Sequence, residues 1–293
     1  MSAAVKSGCM IPNTIPYKLG IIAGGGSLPF ALAEAAEQQG QDLFIIALKG
    51  SAEQALCAGR SHFWASVGKT GAVIARLKQE GVTHLVFAGS VKRPSLKSIR
   101  LDFSTFWRLL KRRFHFHGDD AILRFIHDMM TSEGFQVVGA HDICPELLMP
   151  DGHLTQELPK KAAMKDIAYG VRIAKEMGRL DIGQSVIVQD GMVLGVEAIE
   201  GTDALVRRCA VLKRKKANLP ILVKMCKPHQ LEAIDLPTIG LETVKAVHEA
   251  GYQGIAIEAG KALLLDAADV VAYADKHDLF VMGIKESDLK SDL

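Results

Sequence analysis

The residues best suited to chemistry lie in the segment 224–240, KMCKPHQLEAIDLPTIG, where Asp235 follows a basic and amide-bearing run in a turn marked by proline and glycine. Upstream, the segment 197–203, EAIEGTD, holds three carboxylates, and its Gly201 and Thr202 supply a bend and a hydroxyl. Magnesium is usually bound by one or two carboxylates together with water and substrate phosphates. The two segments therefore predict a site for a magnesium-bound diphosphate.

A second candidate site is the glycine-rich turn 24–27, which lies between an apolar segment and a stretch with helical spacing of apolar residues. Backbone amides at a helix N-terminus can bind an anion, which makes Gly25, Gly26 and Ser27 candidate phosphate contacts. A tight turn without a ligand is the alternative. Pro29 stands where the fingerprint G-x-G-x-x-G requires its third glycine, so the sequence disfavours NAD.

The elements that must position these residues alternate between strands and helices in the first half of the chain. Such alternation predicts a Rossmann-like parallel α/β sheet. Ligands of parallel sheets bind beyond the carboxyl ends of the strands, which adds Gly89 and Ser90 to the predicted binding edge. The predicted strands are 19–23, 42–48 and 83–88, and the predicted helices are 28–39 and 70–80.

The second half of the chain is predicted to be another α/β domain. A chain of 293 residues exceeds the usual size of one domain, and two domains imply a cleft, in which we place the active site. The polar, proline-bearing run 145–159 marks the boundary. The predicted divisions are an N-terminal extension 1–17, a Rossmann-like domain 18–147, a catalytic domain 148–286 and a polar tail 287–293.

A hairpin in the second domain is predicted to carry the upstream carboxylates. The dipeptide Asp190-Gly191 favours a tight turn between strands 185–189 and 193–198. A run with six basic residues follows at 207–216. Such a run is usually a solvated loop, although next to carboxylates it could position phosphates. The hairpin brings three acids to one end of the domain: Glu197, Glu200 and Asp203.

Composition excludes several classes of protein. Hydrophobic residues make up 48% of the chain and charged residues 23%, which is typical of a folded, soluble protein. A net charge of +2 gives no general case for nucleic-acid binding. The five cysteines form no C-x-x-C pair, which argues against a zinc ribbon and a secreted disulfide framework and favours the cytoplasm. Neither a bilayer-spanning run nor a secretory signal is predicted.

The segment 102–120, DFSTFWRLLKRRFHFHGDD, is unusually rich in aromatic and basic residues. Phe103, Trp107 and Phe114 recur at helical spacing, as in an interfacial helix that meets acyl chains and anionic head groups. An ordinary amphipathic helix facing its own core is the alternative. Asp119 and Asp120 then open a further helix, where they can cap amides or hold a metal.

Several motifs together connect the chain to a known family. They are GIIAGGGSLP from Gly20, GDDA from Gly118, GAHD from Gly139, GRLDIGQ from Gly178, VEAIEGTDALVRR from Val196, KPxQ from Lys227, DLPTIG from Asp235 and GIAIEAG from Gly254. In number, order and spacing they resemble the LpxI-type UDP-2,3-diacylglucosamine diphosphatases. The resemblance implies a magnesium-dependent hydrolase of lipid A biosynthesis in Gram-negative bacteria, which releases UMP and 2,3-diacylglucosamine 1-phosphate, with the lipid product held between two domains.

The resemblance also implies roles for individual residues. Asp235 corresponds to the family's essential aspartate and is expected to bind metal or activate water. The expected magnesium ligands are Asp235, Glu197, Glu200 and Asp203. The expected substrate contacts are Gly25, Gly26, Ser27, Gly89, Ser90, Asp119, Asp120, Lys161, Asp181, Gln184, Thr202, Lys224, Lys227 and Gln230. The family commonly has an arginine where this chain has Ala233, so either another cation, Lys224 or Lys227, replaces it or the activity is weaker.

The resemblance implies partners as well. A lipid-linked UDP-sugar is the expected substrate, and the expected location is the cytoplasm, peripheral to the inner membrane, with contact through the segment 103–116. A homodimer is a plausible assembly, and no nucleic-acid partner is expected. A non-catalytic lipid or nucleotide-sugar binding protein of the same fold is the alternative to the enzyme.

Overall fold

The computed structural model describes residues 17–91, 119–228, 230 and 233–289. The predicted interfacial segment 103–116 lies outside these ranges, as do the side chains of Asp119 and Asp120. The described residues form two compact units, one made of 17–91 and 129–145 and the other of 119–128 and 146–289. Both are of the α/β type, as the sequence predicts. The cleft between the domains stays a prediction.

The first unit is built on a parallel sheet of five strands in the order β3-β2-β1-β4-β5. Its strands are β1 (Leu19–Ala23), β2 (Leu43–Leu48), β3 (His62–Ala65), β4 (His84–Ala88) and β5 (Gln136–Val137). Its helices are α1 (Leu28–Gln38), α2 (Thr70–Gln79), α4 (Ala140–Ile143) and the end of α3 (Asp119–Ser132). Because β1 pairs with β2 on one side and β4 on the other, the sheet has the Rossmann strand order, which confirms the predicted fold class.

The central strands form where the sequence has continuous apolar runs. β1 reads LGIIA and β2 reads LFIIAL, and nearly every residue in them is buried. Strands covered on both faces are expected to lack the alternation of half-exposed strands. Pro29 lies in the first turn of α1, where a missing N–H costs nothing. Pro29, which replaces the third glycine of the dinucleotide fingerprint, is therefore compatible with a regular start of α1.

The loops after β1 and β4 join each other at the carboxyl edge of this sheet. Gly25 N–H donates to the Ser90 carbonyl at 2.8 Å, and Ser90 N–H donates to the Gly25 carbonyl at 2.9 Å. Gly89 has a φ of +84°, and a Cβ there would clash with the Gly25 carbonyl oxygen. The close approach of the two loops therefore requires glycine at this position.

Gly89→Ala is expected to destabilise the first unit by about 3 kcal/mol, because strain from a positive φ adds to a clash with backbone. Urea unfolding monitored by circular dichroism measures the change. Gly59→Ala is the matched control, since Gly59 also has a positive φ (+73°) but its added Cβ meets nothing within 4 Å. The control should lose only about 1 kcal/mol. Equal losses in the two variants would contradict the interpretation.

The second unit is built on a six-stranded mixed sheet in the order β6-β13-β11-β9-β7-β8, with a separate two-stranded sheet of β10 and β12. The strands are β6 (Gly152–His153), β7 (Ser185–Gln189), β8 (Met192–Val196), β9 (Ile221–Lys224), β10 (Thr238–Ile239), β11 (Gly254–Glu258), β12 (Leu263–Leu264) and β13 (Phe280–Ile284). The helices are α5 (Lys161–Arg179), α6 (Thr202–Cys209), α7 (Leu241–Glu249) and α8 (Ala267–Lys276). β9, β11 and β13 are parallel, and β7 is antiparallel to both of its neighbours.

Alternate residues of this sheet pack into two different cores. Ile187 and Leu222 point to the core that is shared with α6, α7 and α8, whereas Val186 and Val223 point to the core shared with α5. This is the two-residue period of a strand that is buried on both faces. Both faces of the sheet are therefore covered by helices, and its strand ends extend from a packed core.

The predicted hairpin is confirmed, and two other segments, one in each unit, differ from expectation. Asp190 and Gly191 both have positive φ, as a tight two-residue hairpin turn requires. The basic run 207–216 is only partly a loop, because its first residues end α6, a helix that the sequence did not reveal. The short edge strand β3 was also missed, since four residues carry little periodicity. Within the described ranges, no helix is long and apolar enough to cross a bilayer.

Candidate active site

A polar cluster lies at one edge of the six-stranded sheet. β9 ends at Lys224, and Ser185 at the start of the antiparallel β7 lies opposite it. Just past β8 the chain returns to the same edge, where Glu197 N–H donates to the Ser185 carbonyl at 2.9 Å. Sheet topology thus brings together three residues that are far apart in sequence.

Thr202 connects these side chains through its hydroxyl. It is the first residue of α6, and its Oγ1 donates to Glu197 Oε1 at 3.1 Å. The same oxygen accepts from Lys224 Nζ at 3.0 Å and lies 3.2 Å from Ser185 Oγ. A hydroxyl has one proton and two lone pairs, so the contact with Ser185 is a donation by Ser185. The hydrogen-bonding capacity of Thr202 is then filled, which fixes Glu197 and Lys224 relative to each other.

Lys224 is a buried cation, with only 5% of its surface exposed. Its Nζ donates to Thr202 and, at 2.9 Å, to the carbonyl of Thr238. Burial lowers the pKa of Lys224, and three neighbouring carboxylates oppose that shift. An ammonium group has three N–H donors, so the two bonds to described residues leave one donor for a ligand. The three carboxylates are Glu197, Asp203 and Asp235.

Two buried acceptors in this cluster lack hydrogen-bond partners among the described residues: Glu197 Oε2 and Gln184 Oε1. Glu197 is only 7% exposed, so water does not readily solvate its second oxygen. A buried polar atom without a partner costs about 1–3 kcal/mol. A cation or a donor-bearing ligand would remove that cost, which makes both atoms candidate ligand contacts.

The loop before β7 packs tightly against Glu197. A Cβ at Gly183 would clash with the carbonyl oxygen of Glu197, so a side chain there would displace the carboxylate or the loop. The backbone carbonyl of the next residue, Gln184, accepts a hydrogen bond from the Met225 N–H at 2.9 Å. This packing explains the glycine of the motif GRLDIGQ and ties the motif to both strands of the cluster.

Asp235 is held by an amide from the preceding loop. Gln230 Nε2 donates to Asp235 Oδ2 at 2.6 Å, and Gln230 is only 9% exposed. The Oε1 of Gln230 accepts from Lys227 N–H at 3.0 Å. Lys227 Nζ forms an ion pair with Asp181 at 2.6 Å. The structure thus links four of the residues that the sequence singles out: Asp181, Lys227, Gln230 and Asp235.

Two of the predicted magnesium ligands contact other partners. Glu200 is exposed and accepts from Arg208 Nη2 at 2.7 Å. Hydrogen bonding to its own backbone amide and to Arg208 lowers the pKa of Glu200. Asp203 accepts from the Thr243 hydroxyl at 3.1 Å. Lys161 is exposed at the start of α5. The functional roles of these residues stay predictions.

Comparisons with known proteins agree with this arrangement of motifs. The LpxI N-terminal domain model matches residues 18–147, and the LpxI C-terminal domain model matches residues 150–282. The chain belongs to the LpxI family. It is also 39% identical over 277 residues to the UDP-2,3-diacylglucosamine pyrophosphatase LpxI of Caulobacter vibrioides, with 91% of this chain and 97% of the relative covered.

The first unit of this LpxI-family chain carries the glycine turn, where the sequence predicts further substrate contacts. Two of the amides in its glycine turn are already used, since Gly24 N–H donates to the Ala88 carbonyl at 2.7 Å and Gly25 N–H to Ser90. Of the three glycine amides in the turn, only that of Gly26 donates no such backbone bond within the described residues. The anion site predicted there is therefore smaller than the number of glycines suggests, and Gly25 and Ser90 have a structural role of their own.

The acidic residues of the cluster fit a magnesium site that has only one or two protein ligands. Within the ranges that the structure describes, no group of three or more histidine, cysteine or acidic residues is arranged to hold a metal. Magnesium commonly needs only one or two protein carboxylates, because substrate phosphates and water complete its shell. Asp235 and the unpartnered Glu197 Oε2 fit that requirement. Magnesium itself stays a prediction.

Four residues of this LpxI-family site were not found from the sequence. Ser185 looked like an ordinary strand residue, and Cys226 had no cysteine partner to draw attention to it. Glu258 was visible only as an acid at a strand end. Its partner Lys175 lies in the middle of an amphipathic helix, where lysine is common. Burial distinguishes these residues, and burial depends on the tertiary structure.

Proposed function

We propose that this chain is a magnesium-dependent hydrolase that cleaves the diphosphate of UDP-2,3-diacylglucosamine and releases UMP and 2,3-diacylglucosamine 1-phosphate in lipid A biosynthesis. The observation that carries the proposal is Lys224, a buried cation among three carboxylates that include Asp235. The name of the Caulobacter relative, a UDP-2,3-diacylglucosamine pyrophosphatase, supports the choice of substrate. The catalytic group of the proposal is Asp235.

The reaction places specific demands on the protein. The oxygen of water bonds to one phosphorus while the bond from that phosphorus to the bridging oxygen breaks. Negative charge grows on the leaving phosphate, and preorganised donors stabilise it. Lys224 has one N–H left after its bonds to Thr202 and Thr238, and this donor is proposed for a phosphate oxygen. Asp235 is proposed to bind the metal or to orient the attacking water.

The proposed magnesium ion would be held by Asp235 and Glu197. When bound, it neutralises phosphate oxygens and lowers the pKa of coordinated water. The hydrogen bond from Thr202 to Glu197 Oε1 fixes the carboxylate so that its other oxygen can reach such an ion. The bond from Gln230 to Asp235 has the same effect on the second carboxylate.

Lys224 is also our candidate for the cation that replaces the arginine commonly found at the position of Ala233. Lys227 is less suitable because its ammonium already contacts Asp181 at 2.6 Å. Lys224 instead lies at the end of β9, among the carboxylates of the cluster. The proposed enzyme therefore retains a phosphate-binding cation in the absence of that arginine.

Contact with an anionic membrane surface is part of the proposal, because the substrate carries two acyl chains. The predicted segment 103–116 lies outside the described residues. In the second unit, Val211 is 86% exposed and Leu212 is 48% exposed, and the basic stretch 213–216 follows them directly. Exposed aliphatic residues beside basic ones are typical of peripheral membrane contacts. A homodimer is compatible with the proposal.

Release of UMP from UDP-2,3-diacylglucosamine tests the function directly. Purified protein is incubated with substrate in detergent micelles, with magnesium in one sample and EDTA in another, and UMP is measured by chromatography. We expect turnover with magnesium and a loss of at least about 100-fold with EDTA, since a metal contributes several kcal/mol to such reactions. Adding magnesium back should restore the activity.

The result also separates the enzyme from its rival, a non-catalytic binding protein of the same fold. A folded protein that binds the lipid substrate but releases no UMP under any metal condition would support the rival. Turnover that is unchanged by EDTA would refute magnesium dependence and leave the hydrolase.

A further inference from the structure

A largely buried ion pair contacts Cys226, where the segment that leads to Asp235 begins. Glu258, at the end of β11, is 6% exposed, and both of its oxygens accept from Lys175 Nζ at 2.8 Å. Glu258 Oε2 also accepts from the N–H of Cys226 at 2.8 Å, and Lys175 donates to the Cys226 carbonyl at 3.3 Å. The pair therefore fixes Cys226 on both sides of its backbone.

Cys226 passes this constraint to Gln230. Its thiol donates to Gln230 Oε1 at 3.2 Å, and the Lys227 N–H donates to the same oxygen at 3.0 Å. Cys226 is 5% exposed and Gln230 is 9% exposed, so water is a poor substitute for these bonds. Both groups are donors in this contact, so the oxygen of the Gln230 amide must face them.

The orientation of Gln230 then determines what Asp235 meets. With Oε1 facing Cys226 and Lys227, the amide nitrogen faces Asp235 and donates to its Oδ2 at 2.6 Å. Rotation of the amide by half a turn would lose all three bonds and set two oxygens against each other. The carboxylate of Asp235 is thus held in one orientation by a chain of bonds that begins at the Lys175–Glu258 pair.

We propose that Gln230 and Cys226 are positioning residues for Asp235, anchored by the buried Lys175–Glu258 pair. The inference rests on the proposed function in so far as Asp235 is the catalytic group. Misplacement of a catalytic group by about 1 Å can reduce a rate about 100-fold while substrate binding changes little. The expected signature of a lost positioning bond is therefore a fall in kcat with a nearly constant KM.

Three variants test the chain of bonds. Cys226→Ala removes the thiol donor, Cys226→Ser keeps a donor of nearly the same size, and Gln230→Leu removes the amide. We expect kcat to fall about 10-fold in Cys226→Ala and about 100-fold in Gln230→Leu, with KM within threefold of the parent. Cys226→Ser should recover kcat to within about threefold of the parent. Cys57→Ala, which truncates a buried cysteine of the first unit, is the matched control and should leave kcat unchanged.

Hydrogen exchange supplies a readout that does not depend on turnover. Backbone amides of residues 225–227, 230 and 233–236 should exchange faster in Cys226→Ala and Gln230→Leu than in the parent, Cys226→Ser and Cys57→Ala, while the other described residues of the second unit stay protected. Normal kcat in Cys226→Ala and Gln230→Leu, or unchanged exchange at these residues, would overturn the positioning role. A general loss of protection with parallel changes in kcat and KM would show that the residues only stabilise the fold, which also overturns it.

The two hypotheses fail in different ways. If the folded parent releases no UMP, the proposed function fails, and hydrogen exchange still decides whether Cys226 and Gln230 hold the segment around Asp235. If the parent turns over substrate and the variants match it, only the positioning inference fails.

Discussion

Asp235→Asn is expected to reduce kcat for UMP release about 1,000-fold, because an amide can neither accept a proton from water nor bind magnesium as a carboxylate does. Asparagine has the same shape and keeps an oxygen for the bond from Gln230 Nε2. The fold should therefore be retained, and the melting temperature should change by no more than a few degrees. Single-turnover kinetics with saturating magnesium measures the effect on the chemical step.

Asp151→Asn is the matched control for this prediction. Asp151 is half exposed and pairs with Lys285 at the surface, so the same chemical change there should alter neither kcat nor stability measurably. Activity of Asp235→Asn within threefold of the parent would remove Asp235 from the catalytic role. The search for the essential acid would then turn to Glu197, whose Oε2 is buried without a hydrogen-bond partner in the described structure.

Lys224→Met is expected to destabilise the protein by about 3–5 kcal/mol, because removal of the cation leaves the buried carboxylate of Glu197 uncompensated. Lys224 is 5% exposed and is the common neighbour of Glu197, Asp203 and Asp235. Methionine fills a similar volume, so little of the loss should come from a cavity. Urea unfolding measures the free energy, and UMP release should also be lost, since the proposed phosphate donor is absent.

A double-mutant cycle identifies the origin of that instability. Adding Glu197→Gln to Lys224→Met removes the uncompensated charge, and more than about 1 kcal/mol of stability should return. Lys285→Met, which breaks an exposed ion pair, should cost less than about 1 kcal/mol. If Lys224→Met lowers the free energy of unfolding by no more than Lys285→Met does, then Lys224 does not compensate the charge of the buried carboxylate.

The class of the fold can be predicted from the sequence alone. Short continuous apolar runs such as LFIIAL in β2 are typical of strands buried on both faces, and their alternation with helices leads to a parallel sheet. The Asp190-Gly191 turn was also predictable, because aspartate followed by glycine suits the two positive φ values of a tight hairpin turn. These features depend on interactions between neighbours in the chain, which local patterns report well.

The helix α6 and the strand β3 show where local patterns stop being sufficient. The first turn of α6 carries Thr202 and Asp203, polar residues that suit a loop equally well, and packing of Leu205 and Val206 in the core decides for the helix. The edge strand β3 is only four residues long and forms because it pairs with β2. In both cases contacts with distant residues outweigh weak local preference.

The sequence also indicated most members of the candidate site, including Asp235, Gln230, Lys224, Thr202 and Glu197. The bonds between them, however, become visible only in the folded chain. The pairing of β7, β9 and β11 brings distant residues together. It buries Lys224 and allows the hydrogen bonds of Thr202 and the series of hydrogen bonds from Glu258 to Asp235 to form. The physical reason is that burial and hydrogen-bond partners arise from contacts between distant segments, which residue types and spacing along the chain do not specify.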